Sequence, residues 1–428
     1  MDRPNKGISR RGVFFAVAGA IALTAVTKPA QAVAITEKPS PGPVGLGERA
    51  DLAERAVMER HVHTLWWQSA MQLGTLHWPS SLFDQLLLAR WCYWWQAHLL
   101  DCAVDAAYRA RSRERIDRIG AIARGIHTRN LTGWTNGYCD DMSWLVLALE
   151  RADRLLGVRF DDAVPKLRTA LLDGWNPAVG AVPWRIGDDY YSTSAIGPTG
   201  IAMARLGKLS RAERLADFLN TRLRDTESGL IFDGVHEPSG LVNHSLLTYC
   251  QGVAIGLETE LALRTNDSSH RDRAAALVAG TADRLADAGV IAGAAGNDSG
   301  LFMGILARYL AQTALALGDT TAAQLVHASA RAAWGNRAEV DGLPLFGADW
   351  TRPVTAPAGL ETFPQLADSS LASSPNQSRD LSIQLSGWML LEADYQLTSA
   401  GTEPAAAPAA RGVDWTARNP PSTPSPSE

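Results

Sequence analysis

Two adjacent acids, Asp140 and Asp141, stand where a Gly/Thr/Asn-rich loop (Leu131 to Gly137) gives way to a long apolar-periodic segment. Leu145, Leu149, Ala152 and Leu156 recur at helical spacing, so both carboxylates fall at or just before the first turn of a helix. Unpaired backbone N–H groups and the helix dipole favour negative charge there. One capping Asp beside a solvated neighbour is the plain reading of such a pair. The crowd of aromatics around it, Trp134, Tyr138 and Trp144, argues for more. Rings stack on the apolar faces of sugars while carboxylates do the proton chemistry, so the combination suits a carbohydrate site. Glycoside hydrolysis needs one carboxyl that protonates the leaving oxygen and a second that stays ionised. Divergent side chains on consecutive residues put the two groups roughly 5–6 Å apart, the retaining geometry.

Other candidates follow along the chain. Asp188-Asp189 lies after Trp184 and before Tyr190-Tyr191, and reads either as hydroxyl recognition or as a helix cap with a solvated partner. Asp233, in Ile231-Phe232-Asp233-Gly234, points to the same face or makes a plain Asp-Gly turn. Tyr249 and Gln251, just inside the next helix, line a floor or form a satisfied core pair. Trp91, Trp94, Trp95 and His98 share helical spacing and read first as core. His61 and His63 diverge on a helix and make a poor metal pair. With no HExxH, Walker loop, dinucleotide fingerprint or G-x-S-x-G elbow, no metal or cofactor is expected.

The elements that must position these residues are nearly all helical. Periodicity predicts twelve helices near 48–73, 81–108, 111–128, 141–156, 161–174, 192–206, 209–223, 244–265, 271–287, 301–317, 320–334 and 379–398. Strand-type alternation is confined to short pieces such as Ala181 to Arg185 and Leu230 to Phe232. Gly-rich polar loops recur at Gly133 to Asp141, Gly180 to Asp189, Gly229 to Gly234 and Gly293 to Gly300, with one helical hairpin in each interval. That repeat means stacked helix pairs with the longer loops gathered at one face. Six hairpins can close into a double ring, an all-α (α/α)6 barrel; an open solenoid shares the local signature. The apolar-all-round segment 244–265 belongs in the inner ring.

The ends read differently. Ser9-Arg10-Arg11-Gly12-Val13-Phe14, the apolar run Val13 to Val26 and Ala30-Gln31-Ala32 resemble a twin-arginine export signal over 1–32, expected to be cleaved after Ala32; a retained anchor and a merely basic tail are the alternatives. Residues 33–47 are a Pro/Gly-containing linker, 48–399 the catalytic domain, and 400–428 a Pro/Ala/Ser-rich tail that reads as disordered. The whole chain carries −5 and its first 32 residues +4, leaving −9 on the remainder. No basic patch argues for nucleic acid, and no membrane span is expected after cleavage. The four cysteines lack zinc-type spacing and read as small buried hydrophobes.

The segment Tyr138 to Leu149 resembles the acidic pair of glycoside hydrolase family 76, the endo-α-1,6-mannanases. In the same order, further stretches are similar: Tyr93 to His98, Gly187 to Tyr190 leading to Ile196-Gly197-Pro198, Phe232-Asp233-Gly234, Thr248 to Gly252, Gly300 to Gly304 with Arg308-Tyr309, and Trp334 to Arg337. The resemblance spans roughly residues 50 to 397. It implies an (α/α)6 barrel and retaining, metal-free hydrolysis of α-1,6-linked mannan; with the export signal, the expectation is an exported monomer acting on mannan or a mannose-containing glycolipid. On the matching positions Asp140 is the nucleophile and Asp141 the general acid/base. Trp134, Tyr138, Trp184, Asp188, Asp189, Tyr190, Asp233, Tyr249 and Gln251 are the expected substrate-binding set. Cys139, where an aromatic is common, and Met142, often Asn in the family, depart from the pattern. Transglycosylation and non-catalytic mannan binding are the alternative uses of such a cleft.

Overall fold

The computed structural model describes residues 44–88, 90–293, 297–356 and 379–402. The export signal, residues 33–43 of the linker and residues 403–428 of the tail read from the sequence lie outside these residues.

Six helices form an inner ring: α3 (Tyr93–Arg109), α5 (Cys139–Leu156), α7 (Thr193–Arg205), α9 (Thr248–Arg264), α11 (Phe302–Leu317) and α13 (Leu381–Thr402). Each packs on the next, and α13 returns to pack on α3, which closes the ring and excludes the open solenoid. Six others form the outer layer: α1 (Leu46–His61), α4 (Arg113–Arg129), α6 (Ala163–Asp173), α8 (Leu209–Arg222), α10 (Ser269–Arg284) and α12 (Thr320–Asn336). Burial separates the layers. α9 is buried continuously from Thr248 to Leu261, whereas α8 buries only Ala212, Leu215, Ala216, Phe218 and Leu219, the single stripe of a helix with one wet face. Inner helices also approach more closely. A Cβ on Gly252 would lie 2.8 Å from the Leu306 backbone, so only glycine lets α9 and α11 meet there.

Two segments depart from the helical expectation. The first helix stops at His61 rather than near 73, and its apolar continuation forms a hairpin of β1 (Val62–Thr64), a 3-10 turn (Leu65–Trp67) and β2 (Gln72–Gly74). The helix expected over 81–108 is broken into α2 (Leu82–Leu87) and α3, because Leu88 adopts φ 46 and turns the chain. Strands also fall elsewhere than expected. Ala181, Arg185 and Ile231 make only isolated bridges. The largest sheet is instead β3 (Tyr190–Ser192), β4 (Gly234–His236) and β5 (Leu241–Asn243), antiparallel throughout. Two further hairpins, Ala286–Asp287 with Val290–Ile291 and Ala338–Val340 with Leu343–Leu345, complete the set among the described residues.

Because the inner helices run parallel, the barrel has two unlike ends. The loops carrying the candidate site meet at their N-termini. Toward their C-termini the lumen is filled by ion pairs. Arg151 of α5 and Arg308 of α11 both hold Asp101 and Asp105 of α3. α3 and α11 are not ring neighbours, so these contacts span the lumen. Arg205 lies 2.7 Å from Glu260 and 3.4 Å from Glu150, all three nearly inaccessible to solvent. Breaking a buried pair leaves an uncompensated charge, at a cost of about 3 kcal/mol or more. Arg205→Met is therefore expected to lower stability by about that amount, read from a urea or thermal unfolding curve.

The segment Asn297–Leu317 is long and apolar enough to cross a membrane, but most of it is α11, buried inside the ring.

Candidate active site

The acid pair occupies the first turn of α5. Tyr138 is the N-cap residue, in an extended conformation and with no side-chain cap bond, so neither acid is the cap. Asp140 is 0% exposed and Asp141 5%. The Asp140 carboxylate accepts from the Asp141 backbone N–H at 2.8 Å through Oδ1, and from Trp184 Nε1 at 3.0 Å through Oδ2. Asp141 Oδ2 accepts from Asn136 Nδ2 at 2.9 Å. All three donors are neutral. They orient the carboxylates without cancelling their charge, and the helix N-terminus adds a favourable field.

Local pairing brings these groups together. Asn130 ties the preceding loop by donating to the carbonyls of Gly133 and Thr135, and Asn136 Oδ1 accepts from the Tyr138 N–H. Tyr138 then bridges Arg185, while Cys139 N donates to the Trp184 carbonyl and Ile186 N to that of Gly137. The Tyr138 and Trp184 rings meet at 5.1 Å between centroids. The 184–186 segment is thus the second wall of the acid site.

A second cluster lies across the three-stranded sheet. Trp184 N donates to the Tyr190 carbonyl, which links β3 to the acid site. Asp233 accepts from the hydroxyls of Tyr190 and Tyr249 and from Asn243 Nδ2 at 2.9 Å. Burial and the Asp233 charge push both phenols above their ordinary pKa, so they remain donors. Gly234 permits the arrangement, since a Cβ there would lie 2.6 Å from the Tyr190 ring.

Not every expected residue joins these clusters. Trp134 faces away, donating to Asp162 at 3.2 Å and packing on His127 and Phe160 under the outer layer. Only its carbonyl reaches inward, accepting from the Tyr93 hydroxyl at 2.6 Å. Gln251 is fully buried, and its amide is used up by Ile231 N and O and Leu247 O; it fixes the loop that carries Asp233 and presents nothing to a ligand. Asp189 sits exposed on the rim, paired with His236 at 2.9 Å, and Asp188 is half-buried in the adjoining turn. Cys139 and Met142 are both packed in the core, and burial beside Asp140 pushes the Cys139 thiol up to about 12. The four cysteines are free.

Sequence reasoning passed over Asn136 and Asn243, which hold Asp141 and Asp233. It also passed over polar pairs at the same end of the ring, Trp95 with Asp298 and His77 with Asp380. Among the described residues no group of three or more His, Cys, Asp or Glu is arranged to hold a metal ion.

Below the acids, His98 packs on Trp144 at 4.6 Å and is 3% exposed. Burial depresses its pKa to about 3, and that of His61 likewise. Both rings stay neutral in the folded chain but take up protons near pH 6.5 once unfolded. Stability therefore rises with pH from about 3 to 6.5 and falls as pH drops through that window, by roughly 2 kcal/mol per ring at pH 5. The thermal midpoint is expected to fall between pH 7 and pH 5, and His98→Phe to remove about half of the two rings' contribution.

The profile of Glycosyl hydrolase family 76 matches residues 49–372. No curated protein matches the sequence. Among solved structures, an α-1,6-mannanase from Salegentibacter sp. HEL1_6 superposes with a TM-score of 0.69 at 23% identity, over 82% of this chain and 100% of that one. An inactive variant of that enzyme with two consecutive aspartates replaced, in complex with an α-1,6-linked mannose tetrasaccharide, gives 0.68 at 23% identity over 82% and 99%. A protein from Listeria innocua gives 0.70 at 23% identity, over 83% of this chain and 98% of that one.

Proposed function

Because the chain belongs to glycosyl hydrolase family 76, we propose that it is an endo-acting, retaining hydrolase of α-1,6-mannosidic linkages in mannan or lipomannan-type glycans. The observation that carries this reading is the buried pair Asp140 and Asp141, adjacent at the α5 N-terminus and each held by a neutral donor. A solved relative bound to an α-1,6-linked mannose oligosaccharide after loss of two consecutive aspartates supports the substrate class.

In this reading Asp140 attacks the anomeric carbon, and the glycosidic bond breaks as Asp141 gives its proton to the leaving oxygen. Asn136 already donates to Asp141 Oδ2, which directs the proton to the other oxygen. Water then loses a proton to Asp141 and displaces Asp140, so the released end keeps the α configuration. Trp184 steadies Asp140 through both steps. The Tyr190–Asp233–Tyr249 cluster supplies hydrogen-bonding groups for the sugar hydroxyls beside the cleavage point.

Linear α-1,6-manno-oligosaccharides of graded length test the proposal directly. Internal cleavage with α-configured products is expected. Chain lengthening instead would mean that a sugar replaces water as acceptor, and binding without turnover would leave only a mannan-holding role.

The enzyme is further proposed to act as a monomer outside the cytoplasm, exported by the twin-arginine route on the strength of Ser9 to Phe14 and the apolar run behind it. Replacing Arg10 and Arg11 by Lys is expected to retain active protein in the cytoplasm, measured by fractionation. Unchanged export would refute the route.

A further inference from the structure

Four of the large apolar side chains exposed on this protein lie together. Trp66 and Trp67, in the 3-10 turn of the first hairpin, are 37% and 70% exposed; Leu82 and Phe83, opening α2, are 68% and 56% exposed. The turn packs against α2, so the four exposed side chains sit on adjoining elements of one face. Both tryptophans adopt left-handed backbone, φ 49 and φ 61. That conformation is costly for a bulky residue, and two in succession hold indoles outward where folding alone would bury them. Single exposed apolar residues need no explanation, but a contiguous aromatic patch marks a contact surface.

Charge narrows the partner. From Arg60 to Phe83 the chain contains no Asp or Glu, although it has 45 acids overall. The exposed Arg124 leans on the hairpin tip, donating to the Ala70 carbonyl at 3.0 Å, and the half-exposed Arg90 flanks α2 by gripping the buried Asp84. A sugar platform sets carboxylates or amides around its rings, as Asp233 and Asn243 are set around Tyr190. At the patch the amide of Gln68 is exposed beside Trp67, but Gln85 donates to the Ser80 carbonyl and Asp84 is taken by Ser81 and Arg90; the remaining neighbours are aliphatic Leu82 and the exposed Arg124. Indoles with aliphatic and arginine neighbours match the boundary between lipid headgroups and acyl chains.

We propose that the Trp66–Trp67 turn and the Leu82–Phe83 end of α2 dock the protein on a lipid bilayer with anionic headgroups. The patch lies at the same end of the barrel as the acid pair. Arg129, the last residue of α4, donates to the Leu88 carbonyl just beyond α2, and the chain continues from it into the loop that carries Asp140 and Asp141. Docking therefore sets the cleft mouth beside the headgroups, where a glycan carried on a lipid emerges. That consequence rests on the mannanase reading; the docking itself does not.

The test uses the full chain with Trp67→Cys, labelled with an environment-sensitive fluorophore. Glu227→Cys on a separate exposed turn is the control, and the unsubstituted chain sets the background from the four native cysteines. Mixed phosphatidylglycerol/phosphatidylcholine vesicles are expected to blue-shift the label at 67 and not at 227, with a weaker response to phosphatidylcholine alone. Adding Leu82→Gln and Phe83→Gln should raise the lipid concentration for half-response about tenfold or more, while cleavage of a soluble oligosaccharide stays unchanged. No shift at 67 overturns the proposal, even if another segment carries the chain onto vesicles. A shift produced by soluble mannan and not by vesicles overturns it in favour of a carbohydrate platform.

Discussion

Asp140→Asn is expected to reduce cleavage of every α-1,6-mannoside by a factor on the order of 10⁴ or more, with binding retained. The amide keeps the size of the carboxylate, but an amide oxygen does not displace an alkoxide from the anomeric carbon, so no glycosyl-enzyme forms. Protein stability should change little or rise, because a fully buried charge disappears while a side-chain oxygen remains to accept from Trp184 or from the Asp141 N–H. The measurement is turnover beside the affinity for an α-1,6-mannose trisaccharide. Asp140→Gly opens the same face to a small anion. Azide or formate added to that variant should attack an activated α-mannoside and give the β-configured product. An α product would place the nucleophile elsewhere.

Asp141→Asn should behave differently, because its loss depends on the leaving group. On an ordinary glycosidic link both steps need a proton transfer, worth about 10² to 10⁴ in rate. With a dinitrophenolate leaving group the first step needs no acid and should proceed close to the unmodified rate, after which the glycosyl-enzyme persists for want of a base. Azide needs no deprotonation, so it should restore turnover on that substrate and give an α-configured azide. Exchange of these signatures between the two variants would reverse the assignment of roles. Full activity in both would reduce the pair to a structural feature of the α5 N-terminus.

Much of the ring was legible because its two layers write different patterns. Outer helices such as α8 show one apolar stripe, and inner ones such as α9 show none, being apolar on all sides; both patterns survive without knowledge of any partner. The failures lie where local pattern and chain path part. Leu65, Met71 and Leu73 continue the apolar rhythm of α1, yet they bury as a hairpin, and nothing local marks the change before Gly74. Leu88 looks like one more helical leucine, but its left-handed φ splits the second helix. The place of the acid pair in the first turn of a helix was legible, while its supports were not. Trp134 stands only six residues before Asp140, and the turn at Gly133 still sends its ring the other way. His77 and Asp380 lie far apart in sequence and meet only when the ring closes. Gln251 read either as floor or as a satisfied core residue, and its helix position fits both; its amide serves backbone groups of a loop twenty residues away, as the core reading has it.

The seam between α3 and α13 sets the order in which a newly made chain can mature. α13 is the last described helix, and in the finished ring it lies between α11 and α3 with α1 and α12 against its outer side. Until residues 381–402 have left the ribosome, the flanks of α3 and α11 are uncovered, and Arg109 waits for Glu392, its buried partner 283 residues away. Five hairpins can form as they emerge, each from local contacts, but the barrel cannot close during synthesis. A nascent chain stalled short of residue 381 therefore holds two apolar faces in water and is prone to aggregate, whereas one stalled beyond residue 402 already contains every described part of the ring.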